Sequence, residues 1–271
     1  YLVSAGALQR LDHDFLRRFF PADQKIKFEN LTDEMGVFVL AGPKSRLLLE
    51  KVSKSDFSNE AFPWLTGKKI KLGDCSMTAM RVNYVGELGW ELHHSINDQN
   101  KIFDLLFEAG GEFGLKPFGI RAMDSMRFEK SYRMVGTELS IEYSAYESGM
   151  DRFICSEKEN FHGKEQLLRW QESGSKNKLV TLEVFDVDDA DVLGNNAVTL
   201  NGKLIGRATG GNFGFRVNKS LALVMMDKQH ADVGTQCSID ILGKIYSAEV
   251  IKDSPFDPRN ERLRDVNNVN E

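Results

Sequence analysis

The sequence predicts an α+β protein built in two parts, and three observations carry that reading. Helical and strand-like segments mix up to about residue 170, while from residue 178 only short alternating strands follow. Between them lies a polar stretch, Gln171 to Asn177, whose Ser173-Gly174-Ser175-Lys176-Asn177-Lys178 run holds no residue able to build a core. The parts are therefore residues 1–170, a mixed body, and residues 178–271, an all-β domain. A chain of 271 residues with 41% hydrophobic content suffices for one large domain or two to three small ones.

The elements follow in order. Leu8, Leu11, Phe15, Leu16 and Phe19 recur at helical spacing until Pro21, which predicts an amphipathic helix over a core. Residues 35–40 read as a buried strand, and residues 43–51 as a short helix with Pro43 at its first position. Residues 69–72 and 78–84 are strands by alternation and β-propensity. Residues 98–110 and 119–131 are helices, the first turning Ile102, Phe103, Leu106 and Phe107 inward. Residues 132–161 carry several glycines and little period, which fits a connector or part of a site. Six strands then follow, at 179–185, 197–200, 203–208, 220–226, 236–242 and 244–251, with Asn201-Gly202 and Leu242-Gly243-Lys244 as hairpin turns.

Charge and cysteine content exclude several functions. The 35 basic and 40 acidic residues are dispersed, for a net charge of −5, so no basic stripe speaks for nucleic acid or an anionic membrane and a small-molecule partner is expected. Cys75, Cys155 and Cys237 are odd in number and far apart, against a disulfide framework or structural zinc; no metal and a reducing compartment are expected. No apolar run reaches the roughly 20 residues of a membrane span and no leader opens the chain, which reads as soluble. Tyr1-Leu2-Val3 resembles the tail of a strand already in progress, so the expectation is that a preceding part of the fold is missing.

The most informative stretch is Arg81-Val82-Asn83-Tyr84-Val85-Gly86-Glu87-Leu88-Gly89-Trp90-Glu91-Leu92. It sets a phenol and two carboxylates on a strand–turn–strand unit whose glycines permit a tight turn and a close approach to a ligand. Glu91 alternates with the apolar Trp90 and Leu92, so its carboxylate takes the opposite face. An ordinary hairpin with a solvated glutamate is the competing reading. Arg121, in the first turn of its helix, opposes the macrodipole; either Asp124 compensates it or a ligand requires it. Glu129 and Arg133 suit a surface i, i+4 pair. His93 and His94 occupy successive strand positions and face opposite ways, which excludes a two-histidine metal clamp and makes both structural. The glycines of residues 206–214 lie between strands and open no helix, so they read as a barrel corner and not as a dinucleotide fingerprint. The prolines and arginines of residues 255–264 fit either an anion contact or a solvated terminus.

Taken in order, several segments resemble one family. They are Ser58-Asn59-Glu60-Ala61-Phe62-Pro63, residues 81–93, Arg121-Ala122-Met123-Asp124-Ser125-Met126-Arg127-Phe128-Glu129-Lys130, Gly149-Met150-Asp151-Arg152-Phe153, Phe161-His162-Gly163-Lys164-Glu165, Lys219-Ser220-Leu221-Ala222-Leu223 and residues 254–264. Together they are similar to the folate-binding aminomethyltransferases typified by the glycine-cleavage T-protein, above all the version fused behind the flavin domain of dimethylglycine and sarcosine dehydrogenases. The resemblance implies a multi-lobed folate-binding body, discontinuous and lacking its N-terminal part, with a C-terminal jelly-roll-like β-barrel. It implies tetrahydrofolate as ligand, FAD in an upstream flavin domain, and an iminium from an N-methyl amine as the one-carbon donor. Tyr84 and Glu91 map onto the family's folate positions and Arg121 onto its arginine at the same ligand, with Asn83, Glu87, Trp90 and Arg127 at supporting positions. The family's catalytic aspartate falls before Tyr1, so no residue here takes that role and this chain alone is expected to be inactive. A stand-alone aminomethyltransferase or demethylase and a non-catalytic folate-binding module remain alternatives. The expected compartment is the cytoplasm in a bacterium and the mitochondrial matrix in a eukaryote.

Overall fold

A computed structural model describes residues 1–21, 25–187 and 189–265. The body is centred on an antiparallel sheet of β1 (Met35–Ala41), β2 (Gly67–Leu72), β3 (Cys75–Met80) and β4 (Gly89–Ser95) in the order β1-β4-β3-β2. Two helices, α2 (Ser45–Val52) and α3 (Gln99–Gly110), cover one face. Strand alternation dictates what each face holds. On β4, Trp90 and Leu92 enter the core with Leu48, Leu49, Phe57, Phe62, Ile102 and Leu106, while Glu91 and His93 take the other side.

The second part is a closed antiparallel barrel of β5 (Asn177–Val184), β6 (Ala197–Leu200), β7 (Lys203–Gly214), β8 (Lys219–Asp227), β9 (Gln236–Ile241) and β10 (Lys244–Ile251), in the order β10-β5-β8-β7-β6-β9. Closure removes the exposed edges of an open sheet. Strand β8 is buried on both faces: Ala222, Val224 and Met226 fill the barrel, and Leu221, Leu223 and Met225 meet Phe128 outside it. Phe128 belongs to α4 (Ile120–Glu129), which therefore seals the barrel wall. Preceding the barrel is α5 (Lys164–Ser173).

Four expectations are corrected. Helix α1 (Gln9–Arg17) buries no residue; its Phe15 meets the ring of His162 and His13 that of Phe28, so it lies over aromatic side chains and not over a core. Strand β3 stops at Met80 because Arg81 is 2% exposed and donates to the carbonyls of Phe62 (2.8 Å) and Arg264 (2.8 Å), leaving the sheet ladder. The glycine run forms no corner but continues β7, with a bulge between Ala208 and Gly210. Its glycines admit neighbours: a Cβ at Gly214 would lie 2.8 Å from Glu129 Cγ, and one at Gly211 would lie 2.5 Å from the Leu221 carbonyl. Finally, Glu129 and Arg133 do not pair. Glu129 is held by the backbone N–H of Arg216 at 2.6 Å and by the Arg216 guanidinium, whereas Arg133 donates to the carbonyls of Ser131 and Ser148 and pairs with Asp253.

The C-terminal tail is docked and not solvated. Lys130, 1% exposed, donates to the carbonyls of Phe256 (3.0 Å) and Asp257 (2.7 Å) and to Asn260 Oδ1 (2.8 Å). Beyond α6 (Glu261–Arg264), Asp265 pairs with Arg46 and accepts from Asn59 Nδ2 (3.0 Å) at its carbonyl. The tail thus leaves the barrel, passes the end of α4 and closes on α2.

Candidate functional site

The side of the sheet opposite the core carries the candidate site. In register, Glu91 lies beside Val39 on β1 and Met80 on β3, and His93 lies beside Val37 and Thr78. Val37 and Val39 are 47% and 41% exposed, so the β1 side of this face is open and apolar, with the Glu91 carboxylate set beside it. Apolar walls with a few fixed polar groups are what a small-molecule site requires. His93 is buried, and its Nε2 lies 3.2 Å from Glu91 Oε2. Its Nδ1 lies 3.0 Å from the Tyr1 hydroxyl, and the two rings meet edge to face. The remaining carboxylate oxygen, Glu91 Oε1, makes no hydrogen bond to any described residue. His94 takes the core side as its alternation dictates, stacking on Phe38 and bonding the Leu92 carbonyl through Nδ1.

Tyr84 goes elsewhere. Asn83 Oδ1 accepts from the N–H groups of Val85 and Gly86, both at 3.0 Å, and Asn83 Nδ2 donates to the Glu87 carbonyl, which shapes the turn. Gly86 sits at φ 72°, the left-handed region that favours glycine, with the Lys130 chain packed where a Cβ would stand. The turn stacks Tyr84 on Tyr132 and sends its hydroxyl to the Arg133 carbonyl at 2.6 Å. Burial pushes the phenol up to about 12, against the opposing pull of the nearby Arg127. Arg121 is exposed in the first turn of α4 and makes no hydrogen bond or ion pair with any described residue. Asp124 does not compensate it: Asp124 accepts from Arg127 Nε at 2.7 Å and Asn212 Nδ2 at 3.4 Å. Among the described residues no hydrogen bond or ion pair joins Tyr84, Glu91 and Arg121 to one another.

The supporting positions divide. Trp90 is 0% exposed against Phe57 and Phe62, so the indole is packing. Glu87 binds Arg216 Nη1 at 2.9 Å, and Arg216 also donates to the Val85 and Met126 carbonyls and lies over Phe256. Arg127 joins Asp124, the Tyr132 carbonyl and the fully buried Glu138, whose carboxylate also accepts from the Met134 N–H and the Thr137 hydroxyl. Sequence reasoning read His93 as structural and passed over Arg216 and Glu138. His93 alone had a local signal, since it shares Glu91's face at a spacing of two residues. A small cleft lined by Pro43, Glu87, Leu88, Arg262 and Asp265 opens under the tail and includes none of the three predicted ligand residues. Among the described residues no group of three or more His, Cys, Asp or Glu is placed to hold a metal, and no helix is long and apolar enough to cross a membrane.

A mixed body sealed against a closed six-stranded barrel defines a two-part class of protein. Residues 1–158 match the family model described as the GCVT N-terminal domain, and residues 177–257 the glycine cleavage T-protein C-terminal barrel domain. The chain belongs to the glycine-cleavage T-protein family of aminomethyltransferases. It is 37% identical over 229 residues to mitochondrial dimethylglycine dehydrogenase of Homo sapiens, covering 84% of this chain and 26% of that protein. It is 32% identical over 280 residues to mitochondrial sarcosine dehydrogenase of Homo sapiens, covering 98% and 30%. An aminomethyltransferase of Thermoanaerobacter sp. is 31% identical, with 93% of this chain and 67% of that protein covered. The chain therefore spans about a quarter to a third of the dehydrogenases it matches. The crystal structure of glycine cleavage system aminomethyltransferase T from Bartonella henselae superposes with a TM-score of 0.78, covering 94% of this chain and 68% of that one; at 19% identity it shows the shared fold.

Proposed function

We propose that this chain is the tetrahydrofolate-binding part of a flavin-dependent dehydrogenase acting on an N-methyl amine of the dimethylglycine or sarcosine type. Support comes from the family, from the dehydrogenases among its relatives, and above all from a carboxylate with a free oxygen set beside the open apolar β1 side of the sheet face. The residues present suit the ligand. The Glu91 carboxylate would accept paired hydrogen bonds from the pterin ring N–H and exocyclic amine, with Val37 and Val39 as apolar surface beside it. Arg121, a cation with no described partner, would meet an anionic part of the folate. Tyr84, turned onto Tyr132, supports the turn in this arrangement.

Tetrahydrofolate would supply the two nitrogens, N5 and N10, that take the one-carbon unit of the iminium, so that the demethylated amine and a proton are released and the carbon leaves as 5,10-methylenetetrahydrofolate. The chain's part is to orient the ligand and exclude water, since a released iminium hydrolyses to formaldehyde. FAD would be held by a flavin domain outside these residues. A stand-alone aminomethyltransferase is the second reading, favoured by the 67% coverage of such an enzyme.

Calorimetric titration with tetrahydrofolate tests the site. Glu91→Gln should weaken binding by about 1–3 kcal/mol, the scale for stranding donors that a carboxylate had satisfied. An affinity equal to wild type would remove Glu91 from the site.

A further inference from the structure

Next to Glu91 stands a histidine whose two ring nitrogens are both engaged. His93 is 1% exposed, yet its Nε2 reaches Glu91 Oε2 at 3.2 Å and its Nδ1 reaches the Tyr1 hydroxyl at 3.0 Å. An ionised carboxylate can only accept, so Nε2 carries the proton in this pair; a neutral ring then leaves Nδ1 as an acceptor, and the Tyr1 hydroxyl donates to it. The other side chains in register with these two on β1 and β3, Val37, Val39, Thr78 and Met80, carry no charge. Lys69 of β2, opposite Thr78, is the nearest basic residue in the sheet register.

We propose that His93 is a positioning residue: held by Tyr1, it fixes the rotamer of Glu91 and presents its carboxylate to a ligand that offers two adjacent N–H donors. This rests on the folate reading of Glu91. By taking one lone pair of Oε2, His93 leaves the other lone pair and the whole of Oε1 for the ligand. A glutamate on an open sheet face otherwise has several rotamers to choose from, and ordering it would cost affinity on binding. A histidine that only filled space would need neither nitrogen aimed at the carboxylate and the phenol.

The experiment uses the whole chain, with tetrahydrofolate as titrant and four proteins: wild type, Glu91→Gln, His93→Leu and His93→Gln. His93→Leu should weaken binding about tenfold, from the loss of a hydrogen bond to a charged group, while His93→Gln, which restores a side-chain N–H donor, should recover most of it. Added to Glu91→Gln, the His93→Leu change should do nothing further to affinity, because its effect runs through the carboxylate. Unchanged affinity in His93→Leu with a clear defect in Glu91→Gln overturns the positioning role and leaves the folate reading standing. No defect in Glu91→Gln overturns both. Should His93→Leu fail to fold, imidazole nitrogen NMR of the ligand-free wild type decides: a proton on Nε2 at pH 7 supports the proposal, and a bare Nε2 overturns it.

Discussion

Removing the Arg216 side chain should destabilise the junction between α4 and the barrel more than any surface arginine would. Glu129 is 1% exposed at the end of α4, and its carboxylate has two partners, both from Arg216: the backbone N–H and the guanidinium Nε. Arg216→Met keeps the first and deletes the second, along with the bonds to Glu87, Val85 and Met126. Stripping the partner from a buried ion costs about 3–5 kcal/mol. The surviving backbone donor and the 20% exposure of the arginine pull the expectation down to about 3 kcal/mol. Urea unfolding followed by circular dichroism reads the loss as a lower midpoint. The double variant Glu129→Gln/Arg216→Met should recover about half of it, because the group left behind is no longer charged. A loss below about 1 kcal/mol, or a double variant no better than the single, would refute the claim that Glu129 is an ion dependent on this arginine.

Two further outcomes follow from burial. Trp90→Ala should cost about 3–5 kcal/mol in unfolding free energy by leaving a cavity beside Phe57 and Phe62, while folate affinity of the folded protein holds, since the indole faces away from Glu91; a large affinity defect at intact stability would reverse that assignment. Tyr84 has its phenol raised by burial from the usual 10 to about 12, so its contribution is complete below pH 10 and drains away as pH rises towards 12. Between pH 9 and 11 wild type should therefore lose about 1 kcal/mol that Tyr84→Phe does not lose, and equal losses in chemical denaturation would contradict the buried position of the hydroxyl.

Much of this protein was legible in the linear sequence because strand and helix periods are local properties. The two-residue period alone placed Glu91 opposite Trp90 and Leu92, and His93 opposite His94. Hairpin signals and short alternating strands marked six barrel strands, and the dispersed charge and scattered cysteines turned the functional reading towards a small molecule. Tertiary structure decided what joins across distance. Glu129 faced a nearby arginine at i, i+4 in sequence, but it is buried against the barrel and takes Arg216 from the turn between β7 and β8. The glycines of β7 looked like a corner when read singly; they continue a strand because α4 packs against that wall. Arg81 left its strand for carbonyls of Phe62 and of the tail, and Tyr84 turned to Arg133. Such pairings depend on which surfaces close over one another, and a buried polar group takes whichever partner that closure delivers, whatever stands beside it in the chain.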